Sequence, residues 1–171
     1  MENELFAFET PDLICGIDEA GRGPLAGPVV AAAVVLGPAF PLSILGDSKQ
    51  LTEKQRLYAE EVIKAEALYW AVASASAQEI DRFNILGASL LAMKRSYLKI
   101  KKEIPISLAL VDGNQRPDLD CATKTIVKGD ATIPQIMAAS ILAKNLRDRY
   151  MVLCDKKWAL YQFAKHKGYP T

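Results

Sequence analysis

Two short apolar runs near the N-terminus, Leu13 to Asp18 and Val29 to Leu36, have the length of strands. The second, rich in Val and Ala, reads as a strand buried on both faces. Pro24, Gly27 and Pro28 punctuate the interval, so the two strands can lie antiparallel across a longer loop. Thr52 is placed to cap a helix in which Leu57, Val62 and Ile63 keep helical spacing to about Ala65. Leu68 to Ala75, with Trp70 and Val72, returns to strand character. Gln78 to Phe83 predicts a short helix and Ile85 to Lys102 a longer one, whose basic far end suits the helix dipole. Ser107 to Val111 is a short apolar strand ending at Asp112, and Thr125 to Val127 another, ending at Lys128-Gly129-Asp130. Pro134 to Lys156 predicts a long helix, with Lys157 to Lys165 adding a turn or two. Strands that come first and then alternate with helices predict an α/β fold, a β-sheet flanked by α-helices.

Composition narrows the class. The 171 residues suit a single domain with a sizeable core, and 50% hydrophobic with 24% charged residues excludes a disordered chain. No apolar run reaches the roughly 18–20 residues of a membrane span. The acidic N-terminus lacks the basic start of a signal peptide, so a cytoplasmic location with no membrane association is expected. Cys15, Cys121 and Cys154 stand far apart with no C-x-x-C, which fits a reducing compartment and argues against structural zinc, as does the single histidine, His166. The net charge of +1 hides an asymmetry: residues 1–120 carry 12 Lys+Arg against 17 Asp+Glu, and residues 121–171 carry 9 against 3. A basic C-terminal third beside an acidic remainder suits a polyanion held against a cation site, although lysines on solvated helix faces produce the same totals.

Candidate chemistry concentrates in the acids. Asp18 and Glu19 end the first apolar run and lead directly into Gly21-Arg22-Gly23. The carboxylates offer hard oxygen ligands of the kind Mg²⁺ or Mn²⁺ prefers. The glycines let a ligand approach the backbone, and the arginine adds a forked donor for phosphate. Asp112 and Asp130 likewise stand where a strand-like segment meets glycine, and strand ends at one edge of an α/β sheet are where such folds place ligands. Carboxylates converging there repel one another and need a counter-charge, for which divalent cations are suited. Because successive strand residues face opposite sides, Asp18 and Glu19 can meet one metal only if the chain leaves extended geometry near Glu19, and Gly21 permits that. Taken alone, Asp112-Gly113 is also a hairpin signal, Asp130 a loop or capping acid, and Asp47-Ser48-Lys49 a loop before a helix. Ser140 and Lys144, four apart, share one face of the last long helix. Trp70 and Trp158 read as packing residues.

Five segments in order carry a resemblance. They are Gly16-Ile17-Asp18-Glu19-Ala20-Gly21-Arg22-Gly23-Pro24-Leu25-Ala26-Gly27-Pro28; Asp47-Ser48-Lys49-Gln50-Leu51 with Thr52-Glu53-Lys54; Val111-Asp112-Gly113-Asn114; Lys128-Gly129-Asp130 with Ala138-Ala139-Ser140-Ile141-Leu142-Ala143-Lys144 and Arg147-Asp148; and His166-Lys167-Gly168-Tyr169-Pro170-Thr171. Together they resemble the type 2 ribonuclease H family, bacterial ribonuclease HII, over nearly the whole chain from Ile14.

The resemblance implies an RNase H-like fold, with a mixed β-sheet flanked by helices. It implies endonucleolytic cleavage of RNA in RNA–DNA hybrids and at single ribonucleotides in duplex DNA, on the 5′ side of the ribonucleotide, leaving 3′-hydroxyl and 5′-phosphate ends. Asp18, Glu19, Asp112 and Asp130 would be catalytic ligands for two Mg²⁺ or Mn²⁺ ions, which together activate water and stabilise the leaving oxygen, so that no histidine base is needed. Gly21, Arg22 and Gly23 would recognise the 2′-hydroxyl and its phosphate, the one feature that tells RNA from DNA at a given position. Tyr169 would stack on the next deoxyribose and sense the RNA-to-DNA junction. Asp47, Ser48 and Lys49 would help hold phosphates. On the residues themselves, Asn114 is a further candidate for the substrate side, Lys128 can contact phosphate or be solvated, Ser140 and Lys144 can point at the cleft or form an ordinary polar stripe, and His166 reads as orienting its loop. The expected state is a monomer. Members of the family usually continue beyond the tyrosine motif with a helical segment, so residues 1–171 are expected to form the catalytic domain without that extension. A terminal Tyr169 motif is then expected to fray. Two other readings keep part of this chemistry: an RNase H-like nuclease that cuts DNA, and a metal-binding nucleic-acid module without turnover.

Overall fold

The structure is a computed structural model and describes residues 13–170; the acidic N-terminal residues and Thr171 lie outside that range. The first two apolar runs form β1 (Ile14–Ala20) and β2 (Val29–Val35), antiparallel with Cys15 opposite Val35 and Ala20 opposite Val30. Every residue of β2 is buried, as its Val/Ala composition predicts. β3 (Tyr69–Ala75) adds antiparallel to β2, while β4 (Leu108–Asp112) and β5 (Ala122–Ile126) add parallel on the far side of β1. The result is a mixed sheet in the order β3-β2-β1-β4-β5.

One strand departs from the pattern-based expectation. β5 pairs from Ala122 to Ile126, starting before Thr125, and leaves Val127 outside the ladder with 70% of its surface exposed. Its Ala-Thr-Lys-Thr sequence has no apolar run because it is an edge strand, selected by hydrogen bonding to β4 and not by burial.

The helices follow their local signals. α1 (Glu53–Glu66) opens on a capping box in which the Gln55 N–H donates to Thr52 Oγ1 (3.3 Å) and the Thr52 N–H donates to Gln55 Oε1 (2.9 Å). α2 (Ala77–Lys101) joins the two helices expected from the pattern, with a break where expected: Asn84, at φ 59°, leaves helical geometry and its Oδ1 accepts the Gly87 N–H at 3.0 Å, re-capping the second part. α3 (Pro134–Lys157) starts with proline at its first position, where no N–H is needed, and α4 (Phe163–His166) follows as a single turn.

The sheet's two faces divide the core. Cys15, Ile17, Ala31, Ala33 and Val111 pack against Ala88, Ala92, Met93 and Tyr97 of α2. Ala32 and Val34 pack against Ala138, Ala139, Ile141 and Leu142 of α3, with Ala59 and Ile63 of α1 behind. Alanines at these crossings seat α3 close to β1 and β2. A bulkier side chain at Ala139 would overpack the layer at a cost of about 1–3 kcal/mol. The odd-numbered residues of β1 therefore point to α2 and the even-numbered ones to α3, and this parity determines where Asp18 goes.

Candidate active site

The central feature is built by two neighbouring parallel strands. The β1–β4 register pairs Gly16 with Leu110 and Ile17 with Val111, so the next residues, Asp18 and Asp112, stand side by side at the strands' C-terminal ends. Both have the parity that faces α3. After β5 the chain turns through Lys128, in left-handed geometry at φ 59°, into a 3₁₀ turn at Gly129–Ala131. That turn brings Asp130 back to the same edge, where its N–H donates to Asp112 Oδ1 at 3.2 Å. One carboxylate oxygen from each of Asp18, Asp112 and Asp130 lies within 4.8 Å of the others.

Their environment is set by burial and mutual repulsion. Burial, then the charges of Glu19 and Asp112, push the Asp18 carboxyl well above the usual range; the Glu19 N–H, donating to Asp18 Oδ1 at 2.7 Å, opposes this only in part. Burial also raises Asp112, and the Asp130 N–H opposes it. Glu19 is raised mainly by burial, with Arg22 pulling it down: Arg22 Nη1 donates to Glu19 Oε1 at 3.4 Å. Lys49 Nζ donates to Asp130 Oδ2 at 2.8 Å, an ion pair that raises the Lys49 ammonium. Two buried acids and the half-buried Asp112 share a single exposed lysine, so negative charge at the strand edge is in excess. Hard, crowded oxygen donors that hold their protons too tightly are chemically what a divalent cation displaces protons from.

These acids floor a cleft of about 220 Å³. Its walls are the β1–β2 loop with Gly21, Arg22 and Gly23, the Ser48-Lys49 turn, Ser140 and Lys144 of α3, and Tyr169. Ser48 Oγ and Ser140 Oγ share a hydrogen bond of 2.8 Å, tying the turn before α1 to α3. Lys144 Nζ donates to Asp148 Oδ1 at 2.8 Å, one turn on. Gly21 has φ +114°, and a Cβ there would meet the Pro28 carbonyl oxygen at 2.5 Å and Arg147 Nε at 2.6 Å, so glycine is required. The Tyr169 ring lies beside Gly23, 3.4 Å from where a Cβ on that glycine would sit.

The comparisons with known proteins agree with this geometry. The family model described as Ribonuclease HII matches residues 15–171. The chain belongs to the ribonuclease HII family. A curated Ribonuclease HII from Nitrosomonas europaea is 55% identical over 161 residues, covering 93% of this chain and 73% of the relative. Among solved structures, ribonuclease HII in its PCNA complex from Archaeoglobus fulgidus matches with a TM-score of 0.72 and 26% identity, over 93% of this chain and 82% of that one. Ribonuclease H2 from Pyrococcus horikoshii matches with a TM-score of 0.71 and 26% identity, over 92% of this chain and 81% of that one. The fold is thus RNase H-like and the protein a type 2 ribonuclease H, a hydrolase and nuclease.

Most of the expected family site converges, and some of it does not. Glu19 borders the cleft but stands outside the three-carboxylate cluster, because β1 stays extended to Ala20 and leaves that geometry only at Gly21. Asp47 does not line the cleft: its carboxylate accepts the Lys49 N–H at 2.9 Å and Gln50 Nε2 at 3.2 Å, fixing the turn that presents Ser48 and Lys49. Asn114 and Lys128 are exposed and do not line it either. His166 orients its loop: Nδ1 accepts the Gly168 N–H at 3.0 Å while Nε2 meets the Tyr161 carbonyl at 2.6 Å. The Tyr169 segment is docked and not frayed, since the N–H groups of Leu25 (2.9 Å) and Ala26 (3.3 Å) donate to the Gly168 carbonyl. Trp70 and Trp158, expected as packing residues, are both exposed: Trp70 lies on the edge strand β3 with its Nε1 donating to the Lys64 carbonyl, and Trp158 sits at the end of α3 with Lys157 Nζ over its ring. Sequence reasoning gave no role to Arg147, which lines the cleft; the available signal was a charge on the buried stripe Ala143-Arg147-Met151. Among the described residues no helix is long and apolar enough to cross a membrane.

Proposed function

We propose that the protein is an endonuclease that cleaves RNA in RNA–DNA hybrids and single ribonucleotides embedded in duplex DNA, 5′ to the ribonucleotide, leaving 3′-hydroxyl and 5′-phosphate ends. The observation that carries this reading is the convergence of Asp18, Asp112 and Asp130 within 4.8 Å on the floor of the cleft that also holds Gly21, Arg22, Gly23 and Tyr169. Two divalent ions, Mg²⁺ or Mn²⁺, fit this donor set, with Asp18, Asp112 and Asp130 as direct ligands and Glu19 at the border. When bound, they supply charge neutralisation and activation of the attacking water.

The chain's own groups do the rest. Gly21 and Gly23 line the cleft wall, where their backbone offers hydrogen-bond partners to a 2′-hydroxyl; a Cβ on Gly23 would stand beside the Tyr169 ring and narrow that approach. Arg22, half exposed, exchanges Glu19 for the adjacent phosphate, a better bidentate partner. Lys49 moves from Asp130 to the backbone phosphate as cations enter, and Ser48, Ser140 and Lys144 line the same wall. The Tyr169 ring, beside Gly23 in the cleft wall, would stack on the sugar that follows the ribonucleotide. Asp47 acts through the turn it fixes; Asn114 and Lys128, outside the cleft, meet phosphates farther along the duplex. Residues 1–171 act as one catalytic domain, as a monomer in the cytoplasm.

The test is a duplex with one embedded ribonucleotide against its all-DNA counterpart, each with Mg²⁺ or Mn²⁺. Cleavage of the first alone is the expected result. Equal cutting of both would make it a DNA nuclease, and tight binding without product in either metal would make it a binding module.

A further inference from the structure

Arg147 is the largest fully buried side chain of the described residues, with 1% of its surface exposed. It sits on α3 one turn past Ala143, in a stripe otherwise given to core packing. Its guanidinium donates three hydrogen bonds, each to a backbone carbonyl: Nε to Pro28 at 3.1 Å, Nη2 to Ala26 at 2.8 Å and Nη1 to Lys167 at 2.9 Å. Two of these carbonyls belong to the loop that carries Gly21-Arg22-Gly23, and the third to the segment that carries Tyr169. Burying a guanidinium without a carboxylate is unfavourable, and a neutral side chain would fill the space with a smaller desolvation penalty. What only the planar fork of arginine does is span carbonyls of two separate loops at fixed angles.

The surroundings are shaped to that fork. The N–H groups of Leu25 and Ala26 donate to the Gly168 carbonyl, so the two loops also touch directly. Gly168 has φ +88°, and a Cβ there would meet the Ala26 carbonyl oxygen at 2.4 Å. The Tyr169 ring, one residue on, lies beside Gly23.

We infer that Arg147 is a positioning residue for substrate choice: it clasps the tyrosine loop to the Gly-Arg-Gly loop, and so sets preference for a ribonucleotide followed by deoxyribose. This rests on the proposed contact of Tyr169 with that sugar. Arg147→Lys keeps the charge but has one donor centre and cannot span three carbonyls. It lowers kcat/KM on the single-ribonucleotide duplex by about 10- to 100-fold, the scale of a misplaced contact. On a continuous RNA–DNA hybrid the loss is smaller, metal affinity by calorimetry is unchanged, and combination with Tyr169→Ala adds no further loss. Equal losses on both substrates, or full additivity with Tyr169→Ala, would overturn the assignment.

If Tyr169→Ala by itself leaves the preference intact, the proposed role of Tyr169 fails. The clasp is then read separately, as faster hydrogen exchange at the Leu25 and Ala26 amides in Arg147→Lys, and unchanged exchange there overturns it. Should Arg147→Lys not fold, exchange in the unaltered protein decides. The Leu25, Ala26 and Tyr169 amides and the Arg147 Nε–H should open in one cooperative step, and independent opening rejects the clasp.

Discussion

α3 serves two buried acidic centres in opposite ways. Near its middle, Asn145 and Arg149 meet Glu60 of α1, which is 4% exposed and accepts Lys64 Nζ at 2.6 Å, Arg149 Nη1 and Nη2 at 2.7 Å each, and Asn145 Nδ2 at 2.9 Å. Burial alone would raise the Glu60 carboxyl, but the donors from Arg149, Lys64 and Asn145 outweigh it and hold it down at about 2. One turn nearer the N-terminus, Ser140 faces Asp18, also 4% exposed, which has other carboxylates for neighbours and is pushed upward. Equal exposure with opposite shifts separates a carboxylate that bolts two helices together from one crowded by other acids at the strand edge. The distinction lies in depth together with the donors: Asp18 is the more deeply desolvated and has acids for neighbours, whereas the donors around Glu60 outweigh its burial.

The largest effect expected from breaking this contrast is at the strand edge. Asp112→Asn reduces cleavage by about 10³-fold, the scale of losing a principal electrostatic group, and abolishes the rise in melting temperature on adding Mn²⁺. In metal-free buffer the same variant melts no lower than the parent, because it relieves repulsion with Asp18 and Asp130. A sharp fall there would make Asp112 structural.

Glu60→Gln does the reverse. Its cleavage rate per folded molecule is unchanged, while urea unfolding shows a loss of about 2–3 kcal/mol, somewhat under the usual cost of breaking a buried pair because Arg149 is half exposed and rehydrates.

Acid titration sharpens the same contrast. Glu60 is lowered in the folded state, so its contribution is complete above the ordinary value of 4.5 and disappears as pH falls toward about 2. Asp18, Glu19 and Asp112 are raised in the folded state, so their penalty in metal-free protein is relieved as pH falls from neutral toward their ordinary range. Metal-free stability, followed by thermal melts across pH, therefore rises on mild acidification before it collapses, and Asp18→Asn flattens the rise.

The smallest effect is at the surface. Arg95 and the Ser76 N–H hold the Glu79 carboxyl down at about 2, yet the pair is solvated. Glu79→Gln, which keeps the capping box, should leave the unfolding midpoint unmoved. A clear shift there would show that hydrogen-bond number alone, without burial, sets stability.

What was legible in the chain follows from locality. Apolar periodicity and the break at Asn84 come from neighbours in sequence, and strand-end acids next to glycine are likewise a local signal, which is why Asp18, Asp112 and Asp130 stood out. The position of Glu19 was not local: it depends on β1 staying extended to Ala20, where pairing with β2 overrides the freedom offered by Gly21. The first residues of β5 escape the apolar pattern because an edge strand lacks the run that announces a central one. Asp47 had the residue type of a substrate contact but serves the turn. Arg147 and Glu60 interrupt apolar helix faces, and only the partners arriving from distant segments show what each charge does there.

Because β1 and β4 run parallel, no hairpin can pair them, and the whole of β2, β3, α1 and α2 must be made and folded back first. During synthesis the emerging polypeptide therefore carries Asp18 for a long interval without Asp112 or Asp130 beside it. Until residue 130 has cleared the ribosome the three-carboxylate cluster cannot form, so this corner of the molecule is assembled late.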